Sequence, residues 1–304
     1  MAVGDTITAA RYNIIRARIA GILGVGAGDE GYGQAVSSTS VAVGATVTAA
    51  QMSTLNDDMI KCRVHQTGSS PTEIVTPVTG NTIEDSNPTT KKGYVEFENL
   101  SLTCQTSRLN ASAGNLSLQS GTESIRSSSW SSDIDHIVTV TFGGYSVTNG
   151  DGSTVSVSSN DHMRVFFNAG GTILFSGTIG SGNTAINNDW RNLMTSVGTV
   201  AFGRSTTSNG STGTSYGYAN LPTSYVTIFN KTASAYSAND YLIEGQKVGN
   251  VLTFRITFNE DKGPNPNFDE AVTATTTSTI QMNRPSNTNA VNITAPTFQN
   301  TDGL

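Results

Sequence analysis

The chain has 304 residues, of which 36% are hydrophobic and only 13% are charged. This length is enough for two or three domains, and the charged fraction is well below the quarter that is typical of soluble globular domains. A net charge of −6 excludes the basic surface expected of a nucleic-acid-binding protein, and no apolar run approaches the roughly 18 residues of a membrane span. Thr, Ser, Asn and 31 glycines replace the charged residues, which is typical of strands joined by tight turns.

The start of the chain and its cysteines indicate the compartment. No basic segment is followed there by an apolar stretch, so no signal peptide is predicted. Cys62 and Cys104 are the two cysteines. They fit neither a disulfide framework nor a zinc site, and we expect them to be buried thiols. Synthesis and assembly in a reducing cytoplasm agree with this cysteine usage.

A short sequence occurs twice near the start. Residues 3–10 read VGDTITAA and residues 43–50 read VGATVTAA, so Thr8 and Thr48 are equivalent positions that lie 40 residues apart (48 − 8). After each threonine the large apolar residues recur at steps of three, four and three, which places them on one side of a helix. They are Tyr12, Ile15, Ile19 and Ile22 in the first copy and Met52, Leu55, Met59 and Cys62 in the second.

These patterns predict helices over about 8–23 and 48–65, with Thr8 and Thr48 as the N-cap residues. Gln51 completes a capping box in the second copy. A run of glycines is expected to end the first helix and to form a flexible stretch. These glycines are Gly24, Gly26, Gly28, Gly31 and Gly33.

Two short amphipathic helices bury little surface alone. Their apolar sides must therefore pack on each other, on the rest of the chain or on another chain, and the sequence leaves these alternatives open. An ordinary helical hairpin and a docking module both fit. The candidate assembly interface consists of Tyr12, Ile15, Ile19, Ile22, Met52, Leu55 and Met59.

The next part of the chain, 67–127, is predicted to be a linker or arm. Between Gln66 and Gly93 three prolines lie among Thr, Ser, Gly and Asn, and so long an irregular segment is unusual in a compact domain unless it has a role. An arm that lies along a neighbouring subunit would be such a role. Residues 94–127 are ambiguous, because Tyr94–Phe97 fits a strand whereas Leu100 and Cys104 fit a helix.

From Trp130 onward the sequence predicts β-structure over 128–304. Three hairpins are expected, at Tyr145–Thr148 with Thr154–Ser158, at Met163–Phe167 with Thr172–Phe175, and at Tyr241–Lys247 with Val251–Phe258. One helix over 184–196 follows from apolar residues at helical spacing. Further strands are predicted near 198–203, 224–229 and 271–282, and the residues beyond 295 are expected to trail along the surface.

The fold class predicted is α+β. A small duplicated helical module (1–66) and the linker or arm (67–127) precede a mostly antiparallel, β-sandwich-like domain (128–304) with one inserted helix. The rhythm of a parallel βαβ fold is not present.

The three histidines, His65, His136 and His162, are the candidates for hydrolytic chemistry. His136 and His162 fall in predicted strands, and Asp133, Asp135 and Asp161 are near them in sequence, so a hydrolytic site is one hypothesis. Polar residues at strand ends are the better interpretation. Because the chain has no H-E-x-x-H or Walker motif, we predict no catalytic residue, no cofactor and no enzymatic activity.

Two acidic loops raise the question of calcium. They are 149–152 and 259–261 with 269–270, and neither has the spacing of a helix–loop–helix calcium site. Turn chemistry is the preferred explanation, so no metal ligand is assigned.

A Ser/Gly/Asn-rich region contains four tyrosines, Tyr216, Tyr218, Tyr225 and Tyr236. Packing on the sheet edge is the preferred explanation. The same residue types also make adaptable contacts with proteins, and exposed aromatic rings would suit a sugar.

The opening VGDTITAARYNII, its echo VGATVTAAQMSTLNDD and the following HQTG resemble the N-terminal region of structural proteins of tailed bacteriophages. The greatest similarity is to virion proteins of the large contractile-tailed phages that infect cyanobacteria. The stretches DHMRVFFNAGGTILFSG, NTAINNDWRNLM, SANDYLI and LTFRITF resemble a β domain of the same kind of protein.

This resemblance covers about two thirds of the chain. Apart from the end of the HQTG stretch it excludes residues 66–127, and it contains no catalytic motif, so no functional residue is transferred by it. It implies a non-enzymatic virion component of the tail, the neck or a fibre, assembled in the host cytoplasm. Its partners would be copies of itself and other virion proteins. The alternative hypothesis is an adhesin at a fibre tip that binds a host-surface polysaccharide.

Overall fold

The computed structural model describes residues 8–81, 83–210, 212–234, 236–260 and 271–304. Within these residues five α-helices and thirteen strands in antiparallel sheets form a mixed fold, with helices in the N-terminal part and a β-rich later part. The predicted α+β class is therefore confirmed. None of the helices in this described part is long and apolar enough to cross a membrane.

The chain divides into two compact units, and neither is continuous in sequence. Unit 1 consists of Met1–Ser117, Gly144–Gly170 and Arg284–Thr294, and unit 2 consists of Leu118–Gly143, Gly171–Asn283 and Ala295–Leu304. Each unit thus combines three segments that are distant along the chain.

Unit 1 contains most of the helices. They are α1 (Ala9–Leu23), α2 (Ala49–Thr67), α3 (Tyr94–Thr106) and α4 (Ser159–Asn168), together with the hairpin of β3 (Tyr145–Thr148) and β4 (Thr154–Val157). The helices α1 and α2 begin at the predicted caps, because the hydroxyls of Thr8 and Thr48 accept hydrogen bonds from the N–H groups of the following turn. The Gln51 side chain completes the capping box of α2, as predicted.

The three helices α1, α2 and α3 run in the same direction, as contacts between their first turns show. The Tyr12 hydroxyl donates to the carbonyl oxygen of Gln51 at 3.2 Å. The Tyr94 hydroxyl lies 3.6 Å from the sulfur of Met52. Since each helix starts at the same end, the connecting segments must return along the helices before the next one begins.

At the other end of these helices Gln66 donates through Nε2 to the carbonyl oxygen of Cys104 at 2.8 Å, which confirms the parallel order of α2 and α3. The helix α3 also has the spacing of the repeat. Tyr94, Phe97, Ser101 and Cys104 follow one another at steps of three, four and three, and all four have no exposed surface. Thus α3 is a helix and not a strand, and it packs with α1 and α2 to form a layer of three helices.

The glycine-rich stretch after α1 is not the flexible segment that was expected. Two side chains of α4 bind its carbonyl groups. Arg164 donates to the oxygens of Val25 at 2.7 Å and Gly26 at 3.1 Å, and Asn168 donates to that of Glu30 at 3.0 Å. The prediction was wrong because the groups that fix this loop lie far away in sequence.

The segment after α2 packs on its own chain. Ile74 and Pro77 are buried, and the Asn56 amide of α2 donates to the Thr76 hydroxyl. The segment then folds back on itself, since the Val75 N–H donates to the carbonyl oxygen of Lys91 at 2.9 Å.

Unit 2 is built on two sheets. Their strands are β1 (Leu116–Arg126), β2 (Ile134–Thr141), β5 (Thr172–Ile179), β6 (Val200–Phe202), β7 (Thr207–Ser208), β8 (Gly213–Thr214), β9 (Val226–Thr232), β10 (Asp240–Val248), β11 (Val251–Asn259), β12 (Thr276–Pro285) and β13 (Thr297–Asp302). The first sheet has the order β1-β12-β5-β6-β7-β8 and the second has the order β13-β2-β11-β10-β9.

Aromatic rings join the two sheets face to face, as expected for a β-sandwich-like domain. Phe254 of β11 meets Phe175 of β5 with ring centroids 4.9 Å apart, and it meets Phe202 of β6 at 5.2 Å. The predicted helix is present as α5 (Ala185–Val197). Its Trp190 packs against Trp130 at 5.2 Å, so this helix closes one part of the core.

Two of the predicted hairpins are confirmed, β3 with β4 and β10 with β11. The hairpin predicted at Met163–Phe167 is wrong, because this segment belongs to α4. The Ser158 hydroxyl accepts from the Asp161 N–H and caps that helix. The residues beyond 295 lie at the surface but are not a loose tail, since they form β13, which pairs with β2.

Candidate functional site

The seven residues of the candidate assembly interface all lie in the core of unit 1. None has exposed surface in the single chain, and this holds for Tyr12, Ile15, Ile19, Ile22, Met52, Leu55 and Met59. The sequence left open whether the apolar sides of the repeat pack within the chain or on another chain, and the structure shows packing within the chain. A contact with another chain must therefore use other residues unless the helices separate.

Unit 1 also exposes large apolar side chains among its described residues. Ile14 on α1 is 59% exposed, Leu102 on α3 is 46% exposed, and Val43 in the turn before α2 is 98% exposed. Val75, Val78 and Leu109 are exposed as well. The repeat pattern does not include these residues, and single apolar residues outside a periodic side give no sequence signal that separates them from ordinary surface residues.

Charged side chains close the end of the layer where the three helices begin. The guanidinium of Arg11 donates to Glu98 at 2.7 Å and also pairs with Asp85. It lies 5.1 Å from the centre of the Tyr94 ring. The hydrogen bonds from Arg11 lower the pKa of both carboxyl groups. This cluster ties α1, α3 and the segment before α3 together, so its role is structural.

The expectation that the two cysteines are buried thiols is confirmed. Cys62 and Cys104 have no exposed surface and are free. Burial raises the pKa of Cys104 to about 12, and burial likewise raises the pKa of Cys62. A thiol that stays protonated is a poor nucleophile and metal ligand.

His65, at the end of α2, is fully buried. Its Nε2 lies 3.1 Å from the carbonyl oxygen of Ala169, and its ring meets the Tyr32 ring edge-on at 4.8 Å. Nδ1 is buried without a hydrogen-bond partner. Burial lowers the pKa of His65 from 6.5 to about 4, so the imidazole is neutral at pH 7. This side chain fastens α2 to the end of α4.

His136 of β2 lies between the two sheets and has no exposed surface. Its Nδ1 is 2.9 Å from the hydroxyl of Ser278 on β12, and its Nε2 is 2.9 Å from the side-chain oxygen of Asn300 on β13. Burial lowers the pKa of this histidine. A Ser–His–Asn arrangement has the residue types of a hydrolytic triad, but Ser278 is only 1% exposed. The three side chains therefore join the strands β2, β12 and β13.

His162 belongs to α4 in unit 1, so its predicted place on a strand was wrong. Its Nε2 is 2.8 Å from the carbonyl oxygen of Thr294, and the Tyr145 ring packs edge-on against it at 5.2 Å. It is 1% exposed.

The aspartates near the histidines in sequence bind other groups. Asp161 accepts from Arg164 at 3.0 Å, Asp135 accepts from the Thr257 hydroxyl at 2.5 Å, and Asp133 accepts from the N–H of Glu260 at 2.9 Å. The structure thus gives each of these aspartates a structural partner and does not assemble the predicted constellation around His136 and His162.

The two acidic loops also have local roles where the structure describes them. Asp151 accepts from both the N–H and the hydroxyl of Ser153, and these bonds lower its pKa. Glu260 turns inward and accepts from Trp190 at 3.1 Å and from Asn239 at 2.9 Å. Asp261, Asp269 and Glu270 lie outside the described residues. Within the described ranges no group of three His, Cys, Asp or Glu side chains could hold a metal ion.

The four tyrosines of the Ser/Gly/Asn-rich region are half-buried, and cations of unit 2 lie over the rings of two of them. The ammonium of Lys247 is 4.5 Å from the centre of the Tyr218 ring, and the guanidinium of Arg255 is 5.0 Å from that of Tyr225. Tyr216 and Tyr236 bond through their backbones. These contacts agree with tyrosines that pack on the sheet edge.

The outer face of the second sheet has a row of uncharged polar side chains that the sequence analysis missed. The strand registers place Gln246 opposite Thr253, Thr253 opposite Thr139, and Thr139 opposite Gln299. With about 4.8 Å between strands, the row is about 14 Å long. Alternating threonines are visible in the sequence, but only the registers show that they line up.

Comparison of the chain with protein-family models, with curated proteins and with solved structures gives no significant match in any of the three. The similarity to phage structural proteins therefore rests on the quoted sequence stretches alone.

Proposed function

We propose that this protein is a non-enzymatic structural component of a bacteriophage virion, in the tail, the neck or a fibre, and that it assembles as an oligomer. The observation that supports this most is how unit 1 buries and exposes its apolar side chains. It covers the repeated apolar sides of its helices by itself and still exposes six large apolar side chains among its described residues: Ile14, Val43, Val75, Val78, Leu102 and Leu109.

Exposed apolar side chains that lie together indicate interaction surfaces. Ile14 and Leu102 belong to the parallel helices α1 and α3, and the Arg11–Glu98 pair joins these helices one turn away from both residues. Helix geometry therefore places the two side chains on the same side of the layer. The structural roles of the three histidines are in keeping with a part that provides surfaces and not chemistry.

The assembly part of this proposal is tested by light scattering on the purified protein. We expect a stable oligomer, and we expect the double variant Ile14→Asp with Leu102→Asp to dissociate it, because a charge in an apolar contact is costly to bury. The matched control is Leu118→Asp in unit 2, since Leu118 is 60% exposed and lies outside the layer. A monomeric protein would contradict the assembly.

The virion part is tested by mass spectrometry of purified phage particles from the source of this chain. We expect its peptides at a fixed copy ratio to the other structural proteins. Their absence from intact particles would contradict the virion assignment even if the protein forms oligomers.

The second candidate function is a polysaccharide-binding adhesin, and the polar row on the outer face of the second sheet favours it. Amide and hydroxyl groups that are held about 4.8 Å apart on a sheet suit the hydroxyls of a neutral sugar chain. A glycan array decides this. Binding that is lost in Thr139→Val with Thr253→Val, but kept in Thr154→Val on the β3–β4 hairpin, would support the adhesin, and no binding at high protein concentration would exclude it.

A further inference from the structure

Side chains close both edges of the sandwich in unit 2. At one edge the Thr214 hydroxyl of β8 donates to the carbonyl oxygen of Ile228 on β9 at 2.7 Å. At the other edge Asn300 of β13 donates through Nδ2 to the carbonyl oxygen of Glu123 on β1 at 2.9 Å. Open strand edges pair readily with other chains. If β13 left its place, the edge of β2 would become such an open edge.

The strand β13 is held mainly by polar contacts. Five of its six residues are exposed, and only Phe298 is half-buried. The pairing with β2 is also irregular, because the register shifts between Asn300 and Asp302. Since apolar burial is the main source of stabilisation, a strand with so little of it is weakly attached for its length.

Asn300 is the central residue of this attachment. Its side-chain oxygen accepts hydrogen bonds from Nε2 of His136 at 2.9 Å and from the Thr122 hydroxyl at 2.7 Å. An amide oxygen only accepts, so His136 donates from Nε2 and accepts at Nδ1 from the Ser278 hydroxyl. One asparagine of β13 thus connects β1 and β2, and through His136 it reaches β12.

The chain before β13 is fixed almost up to the strand. The carbonyl oxygen of Thr294 accepts a hydrogen bond from the His162 side chain, and the carbonyl oxygen of Ile293 accepts one from the Arg284 side chain. Only Ala295 and Pro296 separate this anchored segment from Thr297. Short connections between an anchored segment and an edge strand are the places where identical chains exchange elements.

We propose that copies of this chain join by exchanging β13, so that Thr297–Asp302 of one copy occupies the edge of β2 in another copy. This inference rests on the proposed assembly function and adds, in unit 2, a second contact to the one proposed at Ile14 and Leu102 in unit 1. A second copy is the fitting partner because its β13 restores the same ladder and presents the same Asn300 to His136, so almost no contact is lost in the exchange. A foreign strand without asparagine at this position would leave the buried His136 Nε2 without its acceptor.

Thr139 and Gln299 provide the test, because they are opposite residues in the β2–β13 register and both lie on the outer face. Directly opposite residues of an antiparallel pair are close enough for a disulfide. The variants Thr139→Cys and Gln299→Cys are prepared separately, mixed, incubated and oxidised. We expect a disulfide between the two different chains, with residues 139 and 299 linked in the peptide map. Cys62 and Cys104 are buried and do not compete.

The matched control is Thr253→Cys mixed with Gln299→Cys. Thr253 lies in the same row but one strand further away, so no cross-link is expected. In a second measurement, Asn300→Ala is added to both cysteine variants, and we expect cross-linking about tenfold faster because the strand has lost its central hydrogen bonds. An unchanged rate would contradict the role of Asn300 in holding the strand.

Light scattering separates this inference from the function on which it rests. An oligomer without the 139–299 cross-link between chains, while the Thr139→Cys/Gln299→Cys double variant closes its disulfide within one chain, would overturn strand exchange and leave the assembly intact. A monomer at all concentrations would overturn both.

Discussion

Lowering the pH from 8 to 5 is expected to destabilise unit 1, because the folded protein must keep His65 neutral. The imidazole has no exposed surface, its Nε2 binds the carbonyl of Ala169, and its Nδ1 has no partner. Burial lowers the pKa of His65 from 6.5 to about 4. The unfolded chain therefore binds more protons than the folded chain between these two pH values, and stability falls as the pH falls.

The size of the effect follows from the two pKa values. Each unit of pKa difference corresponds to about 1.36 kcal/mol, so the complete loss below pH 4 is about 3 kcal/mol. At pH 5 the unfolded histidine is almost fully protonated and the folded one is about one-tenth protonated, which gives a loss of about 2 kcal/mol relative to pH 8. The contribution of neutral His65 to the free energy of unfolding is fully present above pH 6.5 and is lost progressively as the pH falls to 4.

The assay is urea unfolding at a series of pH values, followed by circular dichroism of the helices. Both tryptophans, Trp130 and Trp190, are in unit 2, so their fluorescence reports the other unit in the same sample. The variant His65→Gln retains an amide that can donate to Ala169 but does not titrate. It should show a loss between pH 8 and pH 5 that is smaller than that of the original protein by about 2 kcal/mol.

The carboxyl groups do not confuse this comparison. Hydrogen bonds from Arg11 lower the folded pKa of Asp85 and Glu98, so their contribution is present above their ordinary pKa values near 4 and is lost only as the pH falls through the lower folded values. If His65→Gln and the original protein lost the same free energy between pH 8 and pH 5, our account of the buried histidine would be refuted.

Three substitutions test the packing. Arg164→Ala removes the bonds to the glycine-rich loop and should destabilise unit 1 by about 2–3 kcal/mol in urea unfolding followed by circular dichroism; a loss below about 0.5 kcal/mol would show that the loop does not need them. Thr48→Ala should cost about 1 kcal/mol, and more than Thr8→Ala in the same measurement, because only α2 has a complete capping box; equal losses would contradict a role for the second half of the box. Gly177→Ala should destabilise unit 2 by about 1–3 kcal/mol in unfolding followed by tryptophan fluorescence, because the added carbon would lie 2.6 Å from the sulfur of Met194; an unchanged midpoint would mean that α5 moves away freely.

The candidate site was only partly predictable. The sequence identified the residues of the repeated sides, and these residues are buried as their spacing requires. It did not identify α3 as the third helix of the layer, because Ser101 replaces a large apolar residue at the third position of its pattern. The hydroxyl of the buried Ser101 accepts a hydrogen bond from Arg18 at 2.5 Å, and this partner lies on a different helix.

The histidines show a similar limit. The types and local contexts of His136 and His162 suggested a common site, but side-chain partners come from strands and loops far away in sequence. His136 binds Ser278 and Asn300, which are 142 and 164 residues distant. Contacts at such separations leave no local pattern in the sequence. A hydrolytic site could therefore be suggested from the residue types, but the actual partners of the histidines could not be predicted.

The sequence by itself determined the elements whose signals are local: the caps at Thr8 and Thr48, the helices that follow them, the hairpin of β10 and β11, and the helix α5. A cap bonds to its own first turn, and an amphipathic period needs only one apolar side to be covered. Tertiary structure alone decided what covers each side, which loop α4 holds in place and where β13 pairs. Those outcomes depend on burial and on hydrogen bonds between distant segments. Such contacts stabilise the chain only after folding has brought the segments together.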